Sequence, residues 1–227
     1  MEKLAIIVAL QSEFDLVKNI FKNYEEIFEN NISFIKGKIA KKEVVLMKSG
    51  IGKVNAAVQL SELISVFKPD FVINTGVAGG IDKSLKVGDM VISEKCAYHD
   101  VWCGEGEWGQ VQGLPLYFES NEILLQKFKD IAKKNCHFGL ICTGDQFITQ
   151  NAALQQIKQN FPTSLAVDME SAAMAHVCYL RKVPFVAIRI ISDTPFAEKE
   201  NLNQYFDFFQ TAPKLTFEIL KQFIAEK

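Results

Sequence analysis

The sequence is poor in arginine: Arg181 and Arg189 are the only two among its 25 basic residues. Arginine is the side chain that best holds phosphate through paired hydrogen bonds, so a site built around phosphate has little to use. The formal net charge of -2 lacks the basic excess expected of a nucleic-acid-binding or membrane-surface protein. We therefore expect neither nucleic acid nor a membrane as a partner.

Long apolar runs and nucleotide-binding motifs are also missing. The N-terminal run MEKLAIIVAL is short and Glu13 soon follows it, which predicts a buried strand rather than a signal peptide or a membrane span. The glycine segments GIG at 50–52 and GVAGG at 76–80 match neither the P-loop nor the dinucleotide fingerprint. Taken alone, such glycines fit plain turns at least as well as a ligand site.

Cysteine and histidine are few and irregularly spaced. The five cysteines form no C-x-x-C pair and their number is odd, a pattern typical of free thiols in a reducing cytoplasm. The three histidines lack the spacing of metal ligands, so no metal site is expected. The residues concerned are Cys96, Cys103, Cys136, Cys142 and Cys178, with His99, His137 and His176.

What the sequence does contain is an alternation of strand and helix patterns. Short apolar runs predict strands at Leu4–Leu10, Val44–Met47, Phe71–Asn74, Met90–Ile92, Gly139–Thr143 and Pro184–Ile191, and a hairpin at Ile27–Glu29 and Ile32–Lys36. Helical spacing predicts helices at Ser12–Phe21, Lys53–Phe67, Asn121–Lys134, Asn151–Gln159, Asp168–Leu180 and Gln204–Ile224. Without repeats or linkers, the pattern indicates one α/β domain over residues 1–227, with helices on both faces of a mixed, twisted sheet.

Carboxylates stand near several predicted strand ends, where ligands bind in α/β sheets. Asp193 ends the apolar strand IRIISD, and burial there would make it a candidate general acid. A helix cap or surface turn explains Asp193 equally well, and helix-dipole complementation explains Glu13, Asp168 and Glu170. Together, four carboxylates without metal ligands indicate acid-base chemistry on a small organic substrate.

Seven segments then resemble a known family. SGIGKVNAA, INTGVAGG, VGDMVIS, YHD, GLICTGDQFI, VDMESAAMAHVC and VPFVAIRIISD are similar, in order, to segments of the 5′-methylthioadenosine/S-adenosylhomocysteine nucleosidases. These enzymes belong to the nucleoside phosphorylase superfamily. The resemblance implies a three-layer α/β/α sandwich, a homodimer, and hydrolysis of a 5′-thio-substituted adenosine to adenine without cofactor or metal.

The resemblance also implies roles for individual residues. Asp193 corresponds to the general acid at nitrogen 7 of adenine, and Glu13 to the base that activates water. Met169 and Glu170 correspond to the ribose contacts, while Phe147 and Ile148 correspond to the adenine slot. Further pocket positions are Ile51, Gly79, Ser192 and Phe206.

Three alternatives remain open. A purine nucleoside phosphorylase would hold phosphate with arginines and a glycine-rich first loop, whereas this loop reads ALQSEFD and carries a carboxylate. Another purine nucleosidase, acting on futalosine or 5′-deoxyadenosine, would share most of the frame. A non-catalytic nucleoside-binding protein would need no acid and base pair, so the presence of Glu13 and Asp193 argues against it.

Departures from the family pattern concern substrate choice more than the reaction. Val77 replaces a frequent serine and Asp168 a frequent glutamate, and the segment VWCGEGEWGQVQ at 101–112 is shorter than the common form. Trp102 and Trp108 in this segment serve either the 5′ pocket of a partner subunit or a buried interface. The YHD motif, with His99 and Asp100, is interpreted as structural.

Overall fold

The computed structural model describes residues 2–195, 200–211 and 215–225. The strands are β1 (Lys3–Val8), β2 (Tyr24–Glu29), β3 (Ile32–Ile39), β4 (Lys42–Lys48), β5 (Phe71–Gly80), β6 (Met90–Tyr98), β7 (Phe118–Glu119), β8 (Cys136–Thr143), β9 (Ser164–Asp168) and β10 (Phe185–Asp193). The helices are α1 (Gln11–Lys18), α2 (Lys53–Phe67), α3 (Glu122–Ile131), α4 (Asn151–Asn160), α5 (Ser171–Arg181), α6 (Asn201–Thr211) and α7 (Leu215–Ala225).

The central strands of the sheet are buried on both faces. Alternate residues of its central strands enter two separate apolar clusters: Ala5 and Ile7 pack into the cluster that holds α2 and α5. Leu4 and Ile6 pack into the opposite cluster, which includes side chains of α1, α3 and α7. Period-two alternation into two cores explains why the strands read as continuous apolar runs. The predicted three-layer α/β/α sandwich with a mixed sheet is confirmed.

Part of the sheet closes into a ring. β5 pairs with β9, β9 with β8, β8 with β6, β6 with β10, and β10 again with β5. The first part of β5, Phe71–Asn74, pairs with β1, and from there the sheet continues through β4 and β3 to β2. β1, β4, β5 and β10 are parallel, so their carboxyl ends meet at one edge of the sheet.

The hairpin between β2 and β3 follows the sequence closely. Asn30 and Asn31 both have positive φ, 49° and 61°. Asparagine tolerates this left-handed conformation, and a two-residue turn of this kind matches the twist of paired strands. The predicted hairpin is therefore confirmed.

Three predicted boundaries were wrong. Asp168 does not open a helix: it ends β9, which pairs with β8 through Asp168 and Thr143, and α5 begins at Ser171. The glycine segment 76–80 is not a turn after β5 but its second half, paired with β9 and β10. The last predicted helix comprises two helices, α6 and α7, and the sequence between them contains Pro213.

No helix within the described ranges is long and apolar enough to cross a membrane.

Candidate active site

A cavity of about 350 Å³ lies where the carboxyl ends of several strands meet. It is lined by Ala9, Leu10, Glu13, Ile51, Val77, Ala78, Gly79, Gln146, Phe147, Ile148, Val167, Asp168, Met169, Glu170, Ser192, Asp193, Leu202 and Tyr205. Among these described residues there is no lysine, arginine or histidine. Most of the lining is apolar, and its charged side chains are all carboxylates. Such a lining suits a neutral or cationic ligand better than an anion.

Glu13 reaches the cavity from the first turn of α1. Its Oε2 accepts hydrogen bonds from the backbone N–H groups of Ala9 (3.0 Å) and Leu10 (2.9 Å), and its Oε1 accepts one from Val77 (3.0 Å). Burial raises the pKa of Glu13, although these three N–H groups oppose the shift. The carboxylate is thus fixed in direction and made more basic than an exposed glutamate.

Gly76 makes this placement possible. A Cβ added at Gly76 would lie 2.6 Å from Oε1 of Glu13, far inside van der Waals contact. The carboxylate therefore occupies the space that any other residue at position 76 would fill. The glycine in INTGVAGG is required by the close approach of a side chain, not by a turn.

Asp193 ends β10 and is 2% exposed. The Ser192 hydroxyl donates to its Oδ1 (2.7 Å), and the Asn201 amide donates to its Oδ2 (3.2 Å). Burial raises the pKa of Asp193, and these two donors only partly offset that effect. Asp193 is therefore a carboxyl group that keeps its proton to higher pH than usual and holds it beside the cavity.

Glu170 is the third buried carboxylate and precedes α5. Its Oε1 accepts a hydrogen bond of 2.9 Å from the backbone N–H of Gly52, which precedes α2. Burial, followed by the nearby Asp168 carboxylate, raises the pKa of Glu170 to about 7, against the opposing charge of Arg189. Glu170 therefore has charged neighbours of both signs within a buried site.

Behind Glu170 lies a buried polar network centred on Arg189, which is 2% exposed. Its Nε donates to Oδ2 of Asp168 (2.7 Å), and its terminal nitrogen donates to the Asn74 side chain. Asp168 also accepts from the hydroxyls of Thr143 (2.5 Å) and Ser171. Arg189 is therefore committed to an internal ion pair and does not line the cavity.

Most of the residues predicted for the site lie around this one cavity. Its walls include Glu13, Ile51, Gly79, Phe147, Ile148, Met169, Glu170, Ser192 and Asp193. Gly79 pairs with Asp193 between β5 and β10, and a Cβ there would lie 3.4 Å from Oδ2 of Asp193. The glycine thus leaves the face of the acid open.

Phe206 is placed differently from the sequence prediction. It is 56% exposed and is not among the lining residues, whereas its neighbour Tyr205 is. The Tyr205 ring meets the Phe147 ring edge to face, with centroids 5.4 Å apart. Adjacent helical positions differ in direction by about 100°, so an error of one residue exchanges a wall residue for a surface residue.

Sequence reasoning missed several contributors. Tyr205 and Leu202 enter from α6, three residues apart, the spacing that places two side chains on one helix face. Asp168 was interpreted as a helix-start acid, yet it lines the cavity and pairs with Arg189. A signal was present: a single arginine inside an otherwise apolar strand has to find a buried partner.

The tryptophan segment lies outside the cavity lining. Trp102 and Trp108 stack on each other with ring centroids 6.1 Å apart, and Trp102 is 58% exposed. Trp108 donates its indole N–H to the carbonyl of His99 (2.7 Å). Within one chain, the segment is therefore tied to the YHD motif and leaves one indole facing outward.

Comparison with known proteins gives the class. A protein-family model described as the phosphorylase superfamily matches residues 3–225. A Staphylococcus aureus 5′-methylthioadenosine/S-adenosylhomocysteine nucleosidase is 41% identical over 202 residues, covering 87% of this chain and 89% of the relative. The chain therefore belongs to the phosphorylase superfamily.

Solved structures narrow the class further. The Streptococcus pneumoniae nucleosidase with the transition-state inhibitor MT-ImmA has a TM-score of 0.91 and 35% identity, with 98% of each chain covered. The Colwellia psychrerythraea nucleosidase with adenine has a TM-score of 0.90 and 36% identity, covering 98% of this chain and 94% of that one. Within the superfamily, the chain is a member of the 5′-methylthioadenosine/S-adenosylhomocysteine nucleosidase family, as its motifs indicated.

Proposed function

We propose that the protein hydrolyses the N-glycosidic bond of 5′-methylthioadenosine, S-adenosylhomocysteine or both, releasing adenine and the thioribose product. The observation that carries the proposal is the arrangement of four buried carboxylates, one of them paired with Arg189, around one mostly apolar cavity in a member of this nucleosidase family. Such an arrangement supplies a proton donor, a proton acceptor and a partner for sugar hydroxyls without a metal or cofactor.

Asp193 is the general acid in this mechanism. Adenine leaves poorly as an anion, so protonation of nitrogen 7 as the bond breaks turns it into a neutral leaving group. Both electrons of the C1′–N9 bond move to adenine, and the proton passes from the Asp193 carboxyl group to nitrogen 7 of adenine. Burial raises the pKa of Asp193, so this carboxyl group holds its proton to a higher pH than an exposed aspartate does.

Glu13 activates the attacking water. As the bond lengthens, positive charge builds on the ribose, and the water oxygen forms a bond to C1′ while its proton moves to Glu13. The three backbone N–H groups that hold Glu13 fix the direction of its carboxylate. Two carboxyl groups on opposite sides of an anomeric carbon perform the same division of labour in glycoside hydrolysis.

The remaining lining residues bind and orient the substrate. Glu170 and Met169 contact the ribose, with the Glu170 carboxylate accepting hydrogen bonds from the sugar hydroxyls. Phe147 stacks on adenine and Ile148 bonds to it through its backbone, while Ser192 orients Asp193. Ile51, Gly79 and Tyr205 complete the walls.

Phosphorolysis is the rival reaction, and the electrostatics of the cavity oppose it. Among the described residues, the cavity lining contains carboxylates and no basic side chain, and Arg189 is held by Asp168.

The purified protein is expected to release adenine from 5′-methylthioadenosine in phosphate-free buffer at the rate seen with phosphate. A strict phosphate requirement would exclude hydrolysis, and nucleoside binding without adenine release would support a non-catalytic role. Running futalosine and 5′-deoxyadenosine beside the thio-nucleosides ranks the nucleosidase alternatives.

Substitution of Gly76 by alanine tests the placement of Glu13. The added methyl group competes with Oε1 of Glu13 for one position, so the base is displaced by about an ångström and kcat falls about 100-fold. Gly139→Ala is the matched control, since its Cβ would lie 2.7 Å from the flexible Leu165 side chain in another part of the sheet. Equal losses of activity in the two variants would show that Gly76 matters only for folding.

We also propose a cytoplasmic homodimer. All five cysteines are free, in keeping with a reducing compartment.

The dimer interface is proposed at α2 and α5, which pack together and expose apolar side chains. The exposed fractions are 73% for Val54, 54% for Val58 and 60% for Leu180. A patch of this kind is typical of a subunit interface. Sedimentation velocity at micromolar concentration is expected to give twice the 25.6 kDa chain mass, and a monomer would rule the dimer out.

A further inference from the structure

Three charged residues outside the cavity lining, Lys53, Asp100 and Asp145, meet beside the cavity. Lys53 of GIGK donates from Nζ to both carboxylate oxygens of Asp100 of YHD, at 2.8 and 2.7 Å. Oδ1 of Asp145, in GDQFI, accepts the backbone N–H of Lys53 (2.8 Å). The backbone N–H of Asp145 donates to Oδ2 of Asp100 (2.9 Å). Segments following three different strands are therefore locked together.

This cluster lies one residue away from the hydrogen bond that holds Glu170. Gly52 donates its N–H to Oε1 of Glu170 (2.9 Å), and the next N–H along the chain, that of Lys53, is the one held by Asp145. A Cβ at Gly52 would lie 3.0 Å from Oδ1 of Asp145, so the turn sits directly against this carboxylate. In the part of the chain that the structure describes, Gly52 is the single donor to the Glu170 carboxylate.

We propose that Lys53, Asp100 and Asp145, here called the α2 clamp, are positioning residues that aim the Gly52 N–H at Glu170 and thereby set the ribose contact. The proposal rests on the proposed function, in which Glu170 binds the sugar hydroxyls. Two adjacent N–H groups at the start of one helix are held by two carboxylates, Asp145 on one side and Glu170 on the other. The two N–H groups belong to successive peptide planes joined at the Cα of Gly52, which has a φ of 93°. An acceptor that holds the Lys53 plane therefore restricts the rotation about Gly52 that would turn its own N–H away from Glu170.

The charge around Glu170 explains why one N–H bond has a large effect. The charged groups facing this carboxylate are Asp168, Glu13 and Arg189, two like charges against one opposite charge. The Gly52 N–H is an additional favourable contact for the ionised form. Losing it favours the protonated form, which accepts sugar hydroxyls less well, so activity is lost first at the acidic side of the pH range.

Two substitutions at Asp145 separate positioning from general damage. Asp145→Ala removes the acceptor for the Lys53 N–H, whereas Asp145→Asn keeps an oxygen at the same place. We expect KM for 5′-methylthioadenosine to rise about tenfold in the alanine variant, with kcat changed less than threefold, and to stay within about twofold of wild type in the asparagine variant. Lys53→Met, which removes the ammonium group between the two aspartates, is expected to follow the alanine variant.

Adenine is the discriminating ligand because it lacks the ribose, whereas Asp145 adjoins the adenine slot at Phe147 and Ile148. The Kd of adenine, measured by calorimetry, is expected to be unchanged in Asp145→Ala. A parallel loss of adenine affinity would overturn the proposal by showing that the substitution merely disorders the slot. Asp82→Ala removes a comparably exposed ion pair with Lys158 (3.1 Å) and is expected to change neither constant; a tenfold rise in KM there would also overturn it.

Amide exchange separates failure of the clamp from failure of the proposed function. Exchange of the Gly52 N–H is expected to be faster in Asp145→Ala than in Asp145→Asn, whatever nucleoside the wild-type protein cleaves. Equal exchange in the two variants would overturn the clamp even if adenine release is confirmed. Absence of adenine release with faster Gly52 exchange would refute the proposed function and leave the clamp geometry standing.

Discussion

Asp193→Asn is expected to reduce adenine release about 100- to 10,000-fold, the usual contribution of a positioned general acid. Asparagine has the same shape as aspartate but carries no transferable proton. Its side-chain oxygen still accepts the Ser192 hydroxyl, and the substitution replaces a buried carboxyl group that burial already favours in its neutral form. The free energy of unfolding is therefore expected to change by less than about 1 kcal/mol. Initial rates of adenine release and a denaturation curve measure the two quantities.

A change of leaving group separates acid catalysis from simple damage to the site. In a 4-nitrophenyl methylthioriboside, the leaving group is 4-nitrophenolate. This group departs as a stable anion and needs no proton. With that substrate, the penalty of Asp193→Asn is expected to shrink at least about tenfold. An equal penalty for both leaving groups would mean that Asp193 binds the substrate but does not protonate it.

Arg189→Met is expected to lower the free energy of unfolding by about 3–5 kcal/mol, the usual cost of breaking a buried ion pair by removing one partner. Asp168 would lose its only guanidinium partner among the described residues and remain in a dry environment. Glu13 and Glu170 would lose an attractive charge, so the pKa of each would rise further. The midpoint of urea unfolding measures the effect.

The second arginine provides the matched control. Arg181, at the end of α5, donates to the Ser61 hydroxyl (2.7 Å) at the surface. Arg181→Met is expected to change the free energy of unfolding by less than about 0.5 kcal/mol. Similar effects of the two substitutions would show that the network around Arg189 contributes no more than a surface contact.

The sequence predicted the layered fold because burial leaves a direct pattern in it. The run Leu4–Val8 of β1 is apolar throughout, since both faces of the sheet are covered there. Asn30 and Asn31 indicated the hairpin, because asparagine tolerates the positive φ that its turn requires. Asp193 was located correctly at a strand end, and it lines the same cavity as Glu13 and Glu170. The assigned roles of these carboxylates stay predictions.

Pairing between distant segments left no such pattern. Asp168 and Arg189 are 21 positions apart, and their contact depends on β9 and β10 lying at opposite sides of β5. β9 was missed because SLAVD is short and runs directly into the acidic motif that looked like a helix start. Likewise, the hydrogen bond between Gly52 and Glu170 spans 118 positions. Tertiary contacts, not local propensity, decide such features.

The sugar product formed when water and phosphate compete tests the central claim most directly. The protein is incubated with 5′-methylthioadenosine in excess inorganic phosphate, and the sugar is identified by phosphorus NMR and mass spectrometry. Hydrolysis with Glu13 as base predicts free methylthioribose in an amount equal to the adenine released, without a phosphorus signal from the sugar. Methylthioribose 1-phosphate in that amount would contradict the account, because phosphate would then be the nucleophile in a cavity lined with carboxylates.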